Sequence, residues 1–256
     1  MQIIKIPAQD GAGKNFALKR PLFTYLDGMV NSGKARKAAF KMILITLVLV
    51  MFVPLAGLLA TLIGSAMVAI SVVLFVVWIL FAIFTLYFFR DPNARVPSEK
   101  NLVVSPGHGK VDIIDRINAP SFMSGECQRI SIFLSVFNVH VQNAPVSGRV
   151  VFFKYTEGEF MNAMKTECAT CNENVLIGFE TSEPAGARIG IRLIAGLIAR
   201  RILPWVELGT EVSRGERISL IQFGSRVDVY LPLSADIKIK IGDRVVGGET
   251  VLAMLQ

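Results

Sequence analysis

Hydrophobic and polar positions are spread very unevenly along these 256 residues. From Met42 to Phe89 there is no charged side chain, a run of 48 residues. A helix needs only about 20 residues to cross the hydrocarbon of a bilayer once. A single helix of the full length would overshoot, so the pattern predicts a hairpin of two transmembrane helices, at about 42–62 and 66–88, with Gly64-Ser65 marking the turn. Pro54 falls inside the first helix, where neighbouring groups in a membrane helix tolerate a kink. Trp78 and Tyr87 sit toward the expected interfaces. The polar exit Arg90-Asp91-Pro92-Asn93 then stops the second helix at its proline. Beyond residue 102, short β-branched runs alternate with glycine and proline turns: Leu102–Val104, Lys110–Ile114, Arg129–Leu134, Gly148–Phe153, Val175–Glu180 and Arg188–Ile194. Many short strands at this spacing predict a β-rich (α+β) domain.

An internal repeat sharpens that reading. Gly209-Thr-Glu-Val212-Ser-Arg-Gly215-Glu216-Arg-Ile218 and Gly242-Asp-Arg-Val245-Val-Gly-Gly248-Glu249-Thr-Val251 carry glycine, valine, Gly-Glu and an aliphatic residue at the same offsets. The glycines suit tight turns and the branched residues suit strands. Similar turns occur in barrel-sandwich domains of the lipoyl type. Neither copy presents the lysine that such carriers modify, so the repeat speaks to architecture and not to chemistry. The expected organisation is therefore an N-terminal segment, 1–41, the two helices within 42–88, and a β-rich domain over 89–256.

Composition agrees with this division. A mean hydropathy of +0.52 and 52% hydrophobic residues are too high for a soluble chain, and the excess is concentrated in the apolar run. The formal charge of +7 does not point to nucleic acid, because no basic stripe with interleaved aromatics is present. Cations flank the apolar run instead: Lys34, Arg36, Lys37 and Lys41 before it, Arg90 and Arg95 after it. They favour an anionic lipid surface and place both ends of the hairpin, with the β-rich domain, on the cytoplasmic side. Asp10-Gly-Ala-Gly-Lys14 lacks the spacing and the Ser/Thr of a phosphate loop, and the first 30 residues read as a cytoplasmic tail. Cys127, Cys168 and Cys171 are too few for a disulfide framework, and Cys168-Ala-Thr-Cys171 has no second half-site for a metal.

Three clusters carry chemistry. They are Ser105-Pro106-Gly107-His108-Gly109-Lys110, Phe137-Asn138-Val139-His140-Val141-Gln142-Asn143-Ala144-Pro145, and Phe223-Gly224-Ser225-Arg226-Val227-Asp228. The chain's two histidines fall in the first two, each in a short polar break between strands. Taken singly, each has an ordinary explanation: a surface histidine, a strand with one polar face, a Gly-Ser turn. Taken together and in order with Phe88-Phe89-Arg90-Asp91-Pro92, they resemble the short bacterial or archaeal type of phosphatidylserine decarboxylase, over roughly residues 85–256.

That resemblance implies a proenzyme that cuts itself at Gly224-Ser225. The Ser225 hydroxyl attacks the preceding carbonyl to give an ester, and β-elimination leaves a pyruvoyl group on the new N-terminus. The cofactor is thus made from Ser225, and the products are a long chain ending at Gly224 and a 32-residue chain. The ketone engages the amine of phosphatidylserine and takes up electron density as the carboxylate leaves as CO2. His140 matches the family's essential histidine, as base toward Ser225 or as acid toward the carbanion. Arg226 and other cations near the membrane are open as phosphate ligands. The implied partners are phosphatidylserine, anionic membrane lipids and the two cleaved chains; monomer and homo-oligomer both stay open.

One residue departs from the family pattern. The first cluster usually reads Pro-Ala-Asp-Gly, the aspartate completing an Asp-His-Ser triad, and here His108 stands at that position. A neutral imidazole accepts a hydrogen bond but brings no negative charge to His140. Asp112 and Asp115 are nearby in sequence, Asp112 about 13 Å further along an extended strand. Slow maturation with His108 as surrogate, a chain altered to trap the proenzyme, and a natural homologue without activity all fit. The alternative function is an uncleaved lipid-binding or scaffold protein; a pyruvoyl decarboxylase for a soluble amine sits less well with the hairpin.

Overall fold

The computed structural model describes residues 33–59, 65–158, 172–196, 201–222 and 225–256. Among the described residues two helices come first, α1 (Lys34–Leu59) and α2 (Ser65–Phe88). Both contain spans long and apolar enough to cross a membrane, Arg36–Leu58 and Met67–Phe88, with mean hydropathies of 2.4 and 3.0. Helix α1 starts earlier than the charge pattern suggests, taking Lys34, Arg36, Lys37 and Lys41 into its first turns, and it continues through Pro54. Gly64, half of the expected turn, lies outside the described residues. The helices lie against each other closely: Trp78 Nε1 donates to Thr46 Oγ1 at 3.1 Å, and a Cβ on Gly57 would stand 2.9 Å from Ser71 Oγ.

Among the described residues fourteen strands follow: β1 (Leu102–Val104), β2 (Gly109–Asn118), β3 (Glu126–Leu134), β4 (Val141–Asn143), β5 (Gly148–Thr156), β6 (Asn174–Ser182), β7 (Ala185–Ala195), β8 (Ile202–Pro204), β9 (Glu211–Val212), β10 (Arg217–Ile221), β11 (Ser225–Leu231), β12 (Asp236–Ile237), β13 (Arg244–Val245) and β14 (Val251–Met254). They form an eight-stranded sheet, β13-β2-β3-β11-β7-β6-β5-β9, and two three-stranded sheets, β1-β14-β12 and β4-β10-β8. The domain core between them is aliphatic, with Ile130, Ile132, Ile177, Ile189, Ile191, Leu193 and Val227 fully buried.

The repeat seen in sequence is one half of a larger duplication. Gly242 N donates to Val111 O and Gly209 N to Val150 O, both at 2.8 Å. Gly248 N donates to Ser105 O and Gly215 N to Ala144 O, again both at 2.8 Å. All four glycines have φ between 74° and 100°, the left-handed region that a side chain would strain. A Cβ on Gly109 would stand 2.3 Å from Phe133 O, and one on Gly148 would stand 2.1 Å from Glu180 O. Thus β1-β2-β3 with β11-β12-β13-β14 matches β4-β5-β6 with β7-β8-β9-β10, strand for strand. The strand order of the large sheet reads symmetrically about the β11–β7 pair. The second unit is continuous in sequence and is inserted into the first between β3 and β11. Ser225 is the first residue of the strand that resumes the outer unit after that insertion.

Candidate functional site

The end of α2 builds one wall of the site. Its last turn is capped by Arg90, whose Nη1 donates to Tyr87 O at 2.9 Å, a cation on carbonyls the helix leaves unpaired. The second guanidinium nitrogen, Nη2, donates to Phe137 O at 2.7 Å and so joins the helix end to the loop that carries His140. Asp91, next along, accepts from Arg217 Nε on β10 at 2.7 Å. Phe88 and Phe89 are buried with Val139, Val141 and Leu220. The Phe88 ring stacks on the imidazole of His140, with centroids 4.3 Å apart.

His140 is fully buried. Its Nδ1 lies 2.9 Å from Asn138 O, so that nitrogen carries the proton and the other presents its lone pair in the neutral ring. Burial, outweighing the pull of that carbonyl and reinforced by the positive Arg90 and by His108, lowers its pKa from 6.5 to about 4. At pH 7 only about one ring in a thousand is charged. The carbonyl of His140 is held by Ile221 N at 3.1 Å and by Gln142 Nε2 at 2.7 Å, and Ser219 Oγ donates to Gln142 Oε1.

His108 follows Gly107, which packs against the start of β11: a Cβ there would stand 3.5 Å from Leu134 Cδ2 and 3.7 Å from Val227 Cγ2. Leu134 is the residue opposite Ser225 in the sheet. His108 and Asn143 both press on Gly247, where a Cβ would meet Asn143 Oδ1 at 2.8 Å and His108 Cδ2 at 2.9 Å. Asn143 Nδ2 donates to Gly215 O, so this side chain bridges the two copies of the repeat. Burial and the nearby Arg90 lower the His108 pKa to about 4, with Glu249 and Asp91 acting weakly the other way.

Ser225 opens β11 and is fully buried between Leu134 of β3 and Ala195 of β7. Its hydroxyl has no hydrogen-bond partner among the described residues. A buried orphan hydroxyl costs about 1–3 kcal/mol, and such groups in native folds ask for a reason. Gly224 lies outside the described residues, as do Cys168 and Cys171.

The neighbouring polar residues are committed elsewhere. Arg226 is buried and makes a two-pronged ion pair with Asp112, at 2.9 and 2.6 Å, while also donating to Ser131 Oγ at 2.7 Å. Ser131 in turn bonds Asp228, whose carboxyl burial raises above its usual range. Asp115 pairs with Arg129. Two readings of the sequence are corrected here: Arg226 is buried and committed to Asp112, so it is not presented to a phosphate, and Asp112 and Asp115 are both held in ion pairs with arginines. Asp112 sits at a bulge in β2, where it pairs with Arg226. Phe88 and Asn138 stood within the motifs that carry the resemblance, but nothing in the sequence pointed to the Asn138 carbonyl beside His140 or to the Phe88 ring stacked over it.

The duplication supplies an internal control. The counterparts of His108, His140 and Ser225 in the other unit are Ser147, Asn101 and Ala187. Neither imidazole, nor a hydroxyl in the place of Ser225, is repeated at the second position.

The family model for phosphatidylserine decarboxylase matches residues 81–253. The chain belongs to the phosphatidylserine decarboxylase family. Among its relatives are three proteins named phosphatidylserine decarboxylase proenzyme. The one from Desulfotalea psychrophila is 43% identical over 70% of this chain and 83% of its own length. The one from Symbiobacterium thermophilum is 41% identical over 75% and 91%, and that from Citrifermentans bemidjiense is 44% identical over 68% and 78%. The matched stretch of the family model begins inside α2 and takes in Phe88, His108, His140 and Ser225, so every element of the site falls within it.

Proposed function

We propose that this chain is a proenzyme that converts phosphatidylserine to phosphatidylethanolamine and CO2 through a pyruvoyl group made from Ser225, working at the cytoplasmic face of a membrane that α1 and α2 span. Membership of the family supports decarboxylation. The observation that carries the finer reading is the Ser225 hydroxyl, buried and without a partner among the described residues at the first residue of β11. A pyruvoyl group fits there, since its formation removes the orphan hydroxyl and leaves the residue between β3 and β7.

Maturation begins with attack of Ser225 Oγ on the carbonyl carbon of residue 224, and the hydroxyl proton passes to a base. His140 suits that role: it is neutral at physiological pH, and its tautomer is set by Asn138 O. β-Elimination then breaks the ester, and water releases the former amide nitrogen as ammonia. When formed, the pyruvoyl ketone supplies an electron sink for decarboxylation. In turnover His140, taking a fresh proton from solvent each cycle, would give it to the carbon that loses CO2, and Phe88, stacked on its ring, holds the imidazole in place. His108, uncharged, supplies no counter-ion to a protonated His140, which predicts slow maturation.

Mass spectrometry of the denatured, purified chain tests this. The expected result is a 32-residue fragment beginning at position 225, blocked at its N-terminus, together with CO2 release from phosphatidylserine vesicles. An intact mass of 28.1 kDa in a sample that still binds phosphatidylserine would favour the scaffold reading.

A further inference from the structure

Where α1 and α2 meet the domain there is a cavity of about 580 Å³, a size typical of small-ligand sites. Arg36, Phe40, Leu86, Phe89, Arg90 and Asp91 line it. Arg36 begins the first apolar span, and Arg90 follows the second by two residues. In a membrane-spanning pair both guanidinium groups stand at one level, that of the lipid phosphates. Neither arginine is in an ion pair among the described residues, and the one carboxylate on the cavity, Asp91, is bound to Arg217. A guanidinium has five N–H donors. Arg90 gives one to Tyr87 O and one to Phe137 O, which orient the fork and leave three. Phe40 and Leu86 are 64% and 51% exposed and continue the cavity wall onto the apolar faces of the helices.

We propose that this cavity binds the phosphodiester of a membrane phospholipid, with Arg36 and Arg90 as its ligands and Phe40 and Leu86 receiving the upper part of the acyl chains. Two cations facing one cavity repel each other, a repulsion that the Tyr87 ring 4.0 Å under the Arg90 guanidinium softens on one face only, and a phosphate relieves it while accepting paired N–H donors. The cavity adjoins the chemistry: Phe89, on its wall, packs edge to face on Phe88 at 5.0 Å, and Phe88 stacks on His140. A headgroup anchored here has its amine and carboxylate within a short reach of the catalytic wall. The proposal deepens the decarboxylase reading and rests on it for the identity of the lipid.

The test uses the full-length Ser225→Ala chain, so that one covalent species is present, in a non-ionic detergent free of phosphate. Lipid retention is measured by native mass spectrometry with added phosphatidylserine, diacylglycerol or inorganic phosphate. Phosphatidylserine is expected to be retained; Arg36→Gln should weaken it about tenfold, the loss of one charge-assisted phosphate contact, and Arg36→Lys should restore part of that. Arg36 is exposed and bonds no element of the domain among the described residues, so the variant folds as the parent does. The Lys37→Gln/Lys41→Gln control removes more charge from the same turns off the cavity and should change retention less than about twofold. Equal loss in the control, unchanged retention in Arg36→Gln, or equal retention of diacylglycerol would each overturn the site. Displacement of the lipid by millimolar inorganic phosphate would also overturn it, by assigning the arginines to a free anion. Retention that depends on Arg36 in a chain whose parent never releases CO2 would leave the site standing and remove the decarboxylase reading.

Discussion

Restoring a carboxylate at position 108 should raise the proton affinity of His140 and speed self-cleavage. In the structure His140 is held at a pKa of about 4 chiefly by burial, with Arg90 and His108 adding to the lowering. The charge at position 108 already acts on His140; a carboxylate there that reaches within about 4–6 Å of the imidazole would raise its pKa by about 1–3 units, to about 5–7. Each unit is 1.36 kcal/mol, a stabilisation of the imidazolium by about 1.4–4 kcal/mol. If roughly half of that charge is developed in the transition state, cleavage accelerates by about 3- to 30-fold. The assay is the appearance of the 225–256 fragment by denaturing mass spectrometry between pH 4 and 9, with His108→Asn as an uncharged comparison. The parent should show a rate that is flat above about pH 5 and falls as pH nears 4, because the base works only when neutral. In His108→Asp the midpoint should move up by about 1–3 units and the plateau should rise. A profile that superimposes on the parent's would refute the argument that residue 108 acts on His140 through charge.

Other expectations follow from the same geometry. The unfolded chain protonates His140 near 6.5 and the folded chain only near 4, so stability is complete above pH 6.5 and falls between 6.5 and 4, by up to about 3 kcal/mol; pH-dependent chemical denaturation of His140→Gln should lose that part of the slope. Arg226→Met leaves Asp112 and the buried Ser131–Asp228 pair without their cation and should cost about 3–5 kcal/mol, with much of the loss recovered in Arg226→Met/Asp112→Leu; thermal unfolding in detergent measures both. Gly57→Leu drives a side chain into Ser71 and should separate α1 from α2, seen as lost cross-linking between cysteines placed at Thr46 and Trp78, whereas Gly57→Ala should be felt far less.

Much of this was open to reading from the chain. The uncharged run from Met42 to Phe89 could hardly be anything but two long apolar helices, and the three polar clusters were visible as breaks between strands. The duplication was half visible. Copies 209–218 and 242–251 share five positions at one spacing, but the strands they pair with share little beyond Pro106, Gly109 and Val111 against Pro145, Gly148 and Val150. Backbone hydrogen bonds and crowded glycines preserve that correspondence, and side chains do not. Partner choice was the part that sequence withheld. Asp112 and Arg226 are 114 residues apart and meet only because of a bulge and a strand register, neither of which leaves a compositional mark.

The nesting of one unit inside the other has a consequence for synthesis on the ribosome. Strands β4 to β10 are contiguous and can pair as they emerge, with β5, β6 and β7 forming successive neighbours. The outer unit has to wait. Its β2 strand needs β13, Lys110 facing Arg244, and β1 needs β14, Leu102 facing Met254. Contacts of such sequence separation form late, after loop closure over the whole inserted unit. Ser225 is enclosed between β3 and β7 only when β11 is in place, and β11 follows the whole inserted unit in the chain. Ser225 therefore enters its buried setting only after the whole inserted unit has been made and β11 has joined the sheet behind it.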